Sequence, residues 1–478
     1  MSNEHQSVKM WSGRFREPLD AQFEQWQRSI VFDWRLLPQE LAASKAHASA
    51  LVAANILTKE EGAQIRSALD SIAAGHASEA GQALVRDHAT AEDIHHFVEL
   101  ALVARVGSLG LKLHTGRSRN EQIATDLRLF VRQHIAQTIE ALASWAQALV
   151  EQASNAGDAV MPSYTHMQRA EPVLVAHWLL AYVEMLLRDA GRLHDCSVRL
   201  NECPLGSGAV AGATLSLDRL IAARELGFAA PTANSIDATS DRDFALEFAQ
   251  AAATLGIHIS RFAEEITLFA TAEFGFIDLA ESFSTGSSAM PQKKNPDLTE
   301  LLRGKVGRLL GAATTIATLL KGLPLAYNKD LQETQEPVFA VADTLEGMLS
   351  LLPKFTRALR FRRDRMSEAA QSGYLTAMAA ATYLVHKGVP FRTAHEKIGN
   401  AVRFAIEKGV ELGGLTLDEL RTFGPEFAED FSPAVTLAAT LDCHDVIGGT
   451  ARERVHQALA AASERIAALT QEAVHAGA

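Results

Sequence analysis

The segment from Ser284 to Pro296, S-T-G-S-S-A-M-P-Q-K-K-N-P, concentrates side chains that are suited to chemistry. Its prolines, at positions 291 and 296, exclude a continuous helix and favour extended backbone in the residues before them. A loop that holds hydroxyls beside positive charge suits a carboxylate ligand, and such charge makes a serine a stronger acid. A solvated, lysine-rich turn explains the same residues, so the segment alone leaves both interpretations open.

A second polar segment, H-T-G-R-S-R-N-E-Q, occupies residues 114–122. Arg117 and Arg119 carry fork-shaped donors that match carboxylates, and Asn120 can both donate and accept. The segment precedes a long helical stretch, and the amino end of a helix favours anions. The pattern therefore predicts an anion site at the start of this helix.

His166 lies in a proline-bounded loop, M-P-S-Y-T-H-M-Q-R-A-E-P, at residues 161–172. A lone loop histidine is more often structural or solvated than catalytic, and it needs an orienting carboxylate to act as an acid or base. Glu300, on the helix predicted after the first segment, is the candidate for that carboxylate.

Two further patterns suggest cofactors, and neither holds. Glu92 and His95 have the Glu-x-x-His spacing of helical di-metal sites, but such sites need this motif twice and two more glutamates. The glycine-rich residues 204–212 follow no strand signal and have the wrong spacing for a dinucleotide fingerprint, so we expect a closely packed turn there. The sequence predicts no metal and no cofactor.

These candidate residues must be positioned by helices. The stretch from Glu121 to Ala156 contains neither glycine nor proline, and apolar residues recur every three or four positions. Strand signals are scarce. The pattern predicts an all-α protein in which long helices form a central bundle. Further helical stretches are predicted at 173–190, 245–274, 298–321 and 343–352. The expected domains are an N-terminal helical domain (1–112), the bundle (113–361) and a C-terminal helical domain (362–478).

The composition excludes several functional classes. The 478 residues carry a net charge of −12 with no dense basic run, so nucleic-acid binding is not expected. Three cysteines without C-x-x-C spacing argue against disulfides and zinc, and they indicate a reducing compartment. The N-terminus lacks the apolar core of a signal peptide, and no uncharged apolar run is long enough to span a membrane. We expect a cytoplasmic protein.

The first segment resembles the signature G-S-S-x-M-P-x-K-x-N-P of the fumarase/aspartase superfamily, which includes the delta-crystallins. It is most similar to the argininosuccinate lyase family, whose loop reads P-Q-K-K-N-P-D. Segments H-T-G-R-S-R-N, Y-T-H-M-Q-R-A, P-L-G-S-G-A-V-A-G, S-D-R-D-F and A-Y-N-K-D-L-Q-E follow the order of that family. The resemblance implies a three-domain helical fold and a homotetramer with active sites shared between subunits. It also implies cleavage of argininosuccinate to arginine and fumarate, in arginine biosynthesis, without metal or cofactor.

The resemblance also implies roles for individual residues. Ser287 takes the proton, and Lys293 and loop amides stabilise its alkoxide. Lys293 and Asn295 hold a substrate carboxylate. His166, oriented by Glu300, assists proton transfer at the leaving guanidine, although the identity of the acid stays open. The remaining substrate contacts that the resemblance implies are Ser29, Asp33, Asp93, Asn120, Thr165, Arg242, Tyr327, Lys329 and Gln332.

The chain departs from the family pattern at three positions. Glu121 replaces an aspartate, Glu171 a glutamine, and Gln335 a lysine that contacts substrate in many members. Three alternatives stay open. They are a superfamily lyase for adenylosuccinate, fumarate/malate or aspartate, a non-catalytic structural protein like the delta-crystallins, and a binding module for acidic metabolites. The Arg-Ser-Arg-Asn and Tyr-Asn-Lys-Asp segments disfavour the first, and the retained serine, histidine and lysine disfavour the second.

Overall fold

The fold is built almost entirely from helices, as a computed structural model shows for residues 17–477, with side chains described for 17–469. Residues 1–16, including the segment predicted to lack a signal peptide, lie outside the described range. The helices before the bundle are α1 (Ala21–Trp26), α2 (Ile30–Asp33), α3 (Leu37–Ala53), α4 (Lys59–Gly75), α5 (Glu79–Arg86) and α6 (Ile94–Val106). Short 3-10 helices lie at Trp34–Leu36 and Gly107–His114.

Long helices form the predicted central bundle. They are α7 (Arg119–Ala156), α8 (Val175–Leu200), α11 (Asp243–Phe269), α12 (Asp297–Leu320) and α13 (Gln335–Leu349), with α9 (Arg219–Glu225) and α10 (Ser235–Ser240) between the second and third. The 38 residues of α7 span about 57 Å. A capping box of Ser118 and Glu121 starts this helix, and Gly157 ends it at a φ of 55°.

Helices α11 and α12 pack closely along the bundle. A Cβ at Gly256 of α11 would lie 2.9 Å from Cδ1 of Leu309, so glycine is required for this approach. The two helices run in opposite directions, because α12 begins beyond the end of α11 and returns beside it. The start of α11 and the end of α12 therefore lie at one end of the bundle.

The strands are short and pair in twos. The longest pair is the antiparallel hairpin of β1 (Val160–Thr165) and β2 (Gln168–Leu174), where the sequence predicted only a loop. The other pairs are parallel β3 (Glu202–Cys203) with β4 (Ala230–Pro231), antiparallel β5 (Ile277–Asp278) with β8 (Arg360–Phe361), and antiparallel β6 (Thr285–Gly286) with β7 (Lys294–Asn295).

A separate hydrophobic core lies in the C-terminal part, between Ala380 and Val435. From residue 352 onward the helices are α14 (Leu352–Arg357), α15 (Arg363–Ala370), α16 (Ala377–His386), α17 (Phe391–Lys408), α18 (Leu417–Arg421), α19 (Phe431–Ala434), α20 (Leu437–Asp442) and α21 (Arg452–Gly477). Of these, α14 packs against α7, and its Leu352 and Phe355 belong to the main core. The last helix packs against α7 and α8, and its Val455 and Ile466 join the bundle core. The chain thus returns to the bundle after the C-terminal core.

One described helical stretch, Ile94–His114, is apolar and long enough to cross a membrane by length and composition alone. Its α-helical part has 13 residues, which span about 20 Å and fall short of a bilayer core of about 30 Å. Ile94, Phe97 and Leu102 are buried in the main core. The stretch is therefore explained as a core helix followed by a 3-10 helix.

Candidate active site

Ser29 and Asp33 form a buried hydrogen-bonded pair on α2. The Ser29 hydroxyl donates to Oδ2 of Asp33 at 2.6 Å, and the backbone N–H of Ile94 donates to Oδ1 at 3.1 Å. Burial and the negative charge of Asp93 raise the pKa of Asp33 well above its ordinary value. The alternative role for Ser29 was a purely structural one as a helix cap, but its side chain makes no capping hydrogen bond.

Asp93 links the start of α6 to the start of α7. Its Oδ1 accepts the N–H of His96 at 2.7 Å, and its Oδ2 lies 3.2 Å from Nε of Arg119. Burial opposes ionisation of Asp93, but Arg119 and His95 lower its pKa below the ordinary value. Asn120 follows Arg119 and donates to the carbonyl oxygen of Ala209 at 3.1 Å.

Arg242 is a buried guanidinium, and two of its three nitrogens lack acceptors among the described residues. The side chain is 1% exposed, and among the described residues its Nε and NH2 have no hydrogen-bond partner. Burial lowers the pKa of Arg242 to about 10, whereas the neighbouring Tyr327 and Asp241 act in the opposite direction and raise it. Because buried N–H groups are almost always paired, this guanidinium needs an anionic acceptor, and a carboxylate matches its shape.

Tyr327 completes the surroundings of this guanidinium. Burial raises the pKa of its phenol to about 12, with opposing contributions from the charges of Arg242 and Asp93. Ala326, immediately before it, has a φ of 67°, which is unusual for a residue with a side chain and indicates local strain at a functional site.

Lys329 and Gln332 join the same region. Nζ of Lys329 lies 3.6 Å from Oε1 of Glu92, and the Gln332 amide donates to the carbonyl of Gln27 at 3.2 Å. Contacts and charges thus bring most of the predicted substrate residues, from distant parts of the chain, into one region of the fold, which we call the N-terminal cluster. It consists of Ser29, Asp33, Asp93, Asn120, Arg242, Tyr327, Lys329 and Gln332.

The signature loop, residues 284–296, is closed by the pairing of β6 with β7. Oγ of Ser287 accepts backbone N–H groups from Ala289 at 3.3 Å and from Met290 at 3.1 Å. Backbone donors stabilise negative charge on an oxygen, as expected for the predicted base. Lys294 pairs with Asp278 at 2.9 Å, whereas no ion pair engages Lys293 within the described chain. Asn295 lies on β7.

His166 lies at the tip of the β1–β2 hairpin. Thr165 pairs with Gln168, and the two residues between them, His166 and Met167, have φ angles of 54° and 58°. Positive φ at both turn positions is normally left to glycine or asparagine, so the tip is strained. Such strain is a feature of functional sites, and the tip exposes both Thr165 and His166.

The predicted contact between His166 and Glu300 is not made within one chain. Glu300 lies in the first turn of α12 and is exposed, and across residues 17–469 no hydrogen bond or ion pair joins it to His166. The two residues belong to different segments, the hairpin and the helix after the loop, and each is exposed to solvent.

The N-terminal cluster and the other two segments lie at opposite ends of the bundle. Arg242 immediately precedes α11, whereas the aromatic ring of Tyr164 on the hairpin lies 6.3 Å from that of Phe269, where α11 ends. The signature loop also follows this end, after β5. The 27 residues of α11 separate the two ends by about 40 Å.

His95 contacts two acidic residues that sequence spacing did not reveal. Its Nδ1 lies 2.9 Å from Glu40 and 3.5 Å from Asp126, and all three side chains are buried. Sequence analysis considered Glu92 as the partner and missed these residues because they lie far away along the chain. Arg117 approaches Glu40 to 3.8 Å, and its charge disfavours an added cation. The group is a buried ionic network in which both carboxylate oxygens of Asp126 lack a hydrogen-bond partner among the described residues.

The departures from the family pattern have structural roles or consequences. Glu121 accepts the N–H of Ser118 and, at 3.0 Å, that of Gly208, so it fixes the glycine-rich turn to α7. A Cβ at Gly208 would lie 2.7 Å from the carbonyl of Gly212, as expected for close backbone packing. Gln335 is 1% exposed, and its Oε1 lacks a partner in the described part of the chain. Glu171 lies 3.6 Å from His444.

Comparison with known proteins identifies the family. A family model described as lyase matches residues 13–311, and one described as the argininosuccinate lyase C-terminal region matches residues 374–442. An argininosuccinate lyase from Acidobacterium capsulatum is 67% identical over 461 residues, which are 96% of this chain and 95% of that protein. The chain belongs to the argininosuccinate lyase family.

Other members and structures agree with this assignment. An argininosuccinate lyase from Koribacter versatilis is 56% identical over 97% of this chain and 98% of that protein. A solved structure of an EDDS lyase variant with bound fumarate has a TM-score of 0.77 at 28% identity, and the match covers 93% of this chain and 92% of that chain. The resemblance seen in the signature segment is confirmed: the chain is a lyase with the helical fold of the superfamily.

Proposed function

We propose that this member of the argininosuccinate lyase family cleaves argininosuccinate reversibly to arginine and fumarate, with Ser287 as the base. The observation that carries the proposal is the Ser287 hydroxyl oxygen, which accepts two backbone N–H groups in the signature loop. A serine must be present as an alkoxide to remove a proton from carbon. Backbone N–H donors of this kind stabilise that alkoxide.

The elimination is a proton abstraction followed by loss of the guanidine. Ser287 removes a proton from the carbon beside a carboxylate, and the electron pair delocalises into that carboxylate. Lys293 and Asn295 supply positive charge and a donor for the intermediate, which carries an additional negative charge. The carbon–nitrogen bond then breaks, and an acid returns a proton to the leaving guanidine. His166, oriented by Glu300 of another subunit, assists this proton transfer.

The N-terminal cluster binds the rest of the substrate. The unpartnered N–H groups of Arg242 donate to a substrate carboxylate, and Lys329 adds a second cation. Asp33 and Asp93 offer oxygens to the positively charged amino and guanidino groups of the substrate. Together with Ser29, Asn120, Thr165, Tyr327 and Gln332, these residues are the proposed substrate contacts.

We infer that the protein is a homotetramer with shared active sites. The separation of about 40 Å along α11 prevents one chain from joining its N-terminal cluster to its signature loop. Helix α12 offers a surface for a second copy, because Leu301 and Leu310 are exposed and the space beside Gly304 is empty to 4 Å within the described chain. Small residues let helices of neighbouring subunits approach closely.

The proposed setting is arginine biosynthesis in the cytoplasm. Cys196 and Cys203 are free and buried, and Cys443 is free and exposed, which suits a reducing compartment. The proposed reaction needs neither a metal nor a cofactor.

The decisive experiment mixes purified protein with argininosuccinate and follows fumarate by its absorbance. We expect turnover with argininosuccinate and none with adenylosuccinate, malate or aspartate. Turnover of one of those compounds instead would assign another superfamily reaction. Binding of fumarate without any turnover would favour the binding-module alternative, and absence of both would favour a structural protein.

A further inference from the structure

Arg242 is the buried guanidinium whose free N–H groups bind a carboxylate in the proposed function. It directly follows Asp241. Arg242 occupies the position before the first residue of α11 and makes no side-chain cap there. Its NH1 donates to the carbonyl of Asp241 at 2.7 Å. The direction of its remaining N–H groups therefore depends on how the start of α11 is held.

Asp241 is held by a residue of α7. One carboxylate oxygen, Oδ1, accepts the N–H of Asp243 at 2.7 Å and so anchors the first turn of α11. The other oxygen, Oδ2, accepts a hydrogen bond from the guanidinium of Arg128. Asp241 thereby joins α7 to α11 immediately beside Arg242.

Arg128 contacts both sides of Arg242. Besides binding Asp241, its guanidinium carbon lies 4.8 Å from the ring centroid of Phe244, two residues beyond Arg242. A further N–H group donates to the carbonyl of Leu200, at the end of α8, at 2.7 Å. The Arg128 side chain is only 5% exposed, so these contacts form in a dry environment, where charged hydrogen bonds are strong.

We propose that Arg128, acting through Asp241, is a positioning residue that aims Arg242 at a substrate carboxylate. The proposal rests on the proposed function, because it assumes that Arg242 binds the substrate. Arg128 does not touch the substrate itself. It fixes the backbone on both sides of Arg242, so that the free N–H groups of the buried guanidinium keep one direction before the substrate arrives.

Arg132, one helical turn later on α7, is a matched control. Its guanidinium donates to the carbonyls of Leu226 and Gly227 at 2.6 and 2.9 Å, and it lies 4.7 Å from the ring centroid of Phe228. It thus has a similar stacking partner and similar carbonyl acceptors to Arg128. Among the described residues, no hydrogen bond or ion pair joins it to Asp241 or Arg242.

The test compares Arg128→Gln with Arg132→Gln and adds Arg242→Gln alone and combined with Arg128→Gln. We expect Arg128→Gln to raise KM for argininosuccinate by about tenfold or more, with a smaller change in kcat, because the lost contact acts on substrate binding. Arg132→Gln should change KM by less than about twofold, because no described hydrogen bond or ion pair links Arg132 to Asp241 or Arg242. In the Arg242→Gln background, Arg128→Gln should have little further effect on KM.

Equal changes in KM for Arg128→Gln and Arg132→Gln would overturn the proposal. So would a double variant in which the fold-changes in KM of Arg128→Gln and Arg242→Gln multiply. If Arg128→Gln does not fold, Asp241→Asn replaces it, since the amide oxygen keeps the bond to Asp243 while the ion pair is lost. Wild-type protein that does not turn over argininosuccinate would refute the proposed function alone. The same cycle is then measured by calorimetry as dissociation constants for fumarate, with the same expected pattern.

Discussion

At the scale of single residues, neighbouring serines differ in what surrounds their oxygens. Oγ of Ser287 accepts two backbone N–H groups, whereas Ser288 is exposed. Two hydroxyls of equal chemistry thus become unequal, because only one has donors that can hold an alkoxide. The sequence could indicate the loop and its charges, and the family pattern singled out Ser287, but the donors depend on the folded turn.

This inequality leads to a prediction for a pair of variants. Ser287→Ala should lower kcat by roughly three orders of magnitude or more and leave KM nearly unchanged, because the lost interaction is made in the transition state. Ser288→Ala, the matched control, should keep most of the activity. Steady-state kinetics on both variants checks this. An inactive Ser288→Ala beside a nearly normal Ser287→Ala would move the base to the neighbouring serine.

Metal independence is a second prediction at this scale. In the buried group of Glu40, His95 and Asp126, Nδ1 of His95 lies 2.9 Å from Glu40, and the positive charge of Arg117 lies 3.8 Å from Glu40. A cation would have to displace these contacts. Activity with argininosuccinate should therefore survive dialysis against a chelator. Loss of activity that a single divalent ion restores would contradict the proposed chemistry and point to this group as its site.

At the scale of elements, helix patterns predicted more than loop patterns. Helix α7 was expected from residue 121 to 156 and runs from 119 to 156, because its apolar period and capping residues are local signals. The hairpin of β1 and β2 was not predicted, because its turn consists of His166 and Met167 and lacks the usual glycine or asparagine. Strain held by tertiary contacts leaves no signature in local sequence.

Helix α3 carries a histidine that makes the fold sensitive to acid. Nε2 of His47 lies 3.0 Å from the carbonyl of Thr115, and so ties α3 to the segment before α7. Burial and the nearby charge of Arg117 lower the pKa of His47 to about 3. The unfolded chain, with an ordinary histidine pKa of about 6.5, therefore binds more protons between these values, and stability falls as pH falls through this window.

The size of this effect can be measured. Between pH 7.5 and pH 4.5, His47 should remove roughly 3 kcal/mol from the free energy of unfolding. His47→Gln, which keeps a donor for Thr115, should lose that much less over the same interval. His194→Gln, at an exposed position of α8, should behave like wild type. Urea unfolding at fixed protein concentration checks this, and equal losses in all three proteins would refute it.

At the scale of the whole molecule, the arrangement of the site could not be predicted from helix patterns alone. The sequence gives the order of His166, Arg242 and Ser287 along the chain but no distance between them in space. Only the fold shows that the long helix α11 holds the N-terminal cluster at one end of the bundle and the hairpin and loop near the other. The resemblance implied shared sites, and the separation along α11 is a physical argument for the proposal that subunits share them.

Subunit mixing tests shared sites directly. A Ser287→Ala chain and a His166→Asn chain should each be inactive alone, yet equal mixing with subunit exchange should restore roughly a quarter of the sites, if each site takes its loop and hairpin from different chains. The matched control mixes Ser287→Ala with Lys293→Met. Both lesions lie in the same loop, so every site inherits one of them and activity should stay low. Light scattering should show a tetramer throughout. An active monomer, or no recovery after confirmed exchange, would rule out sites built from several chains.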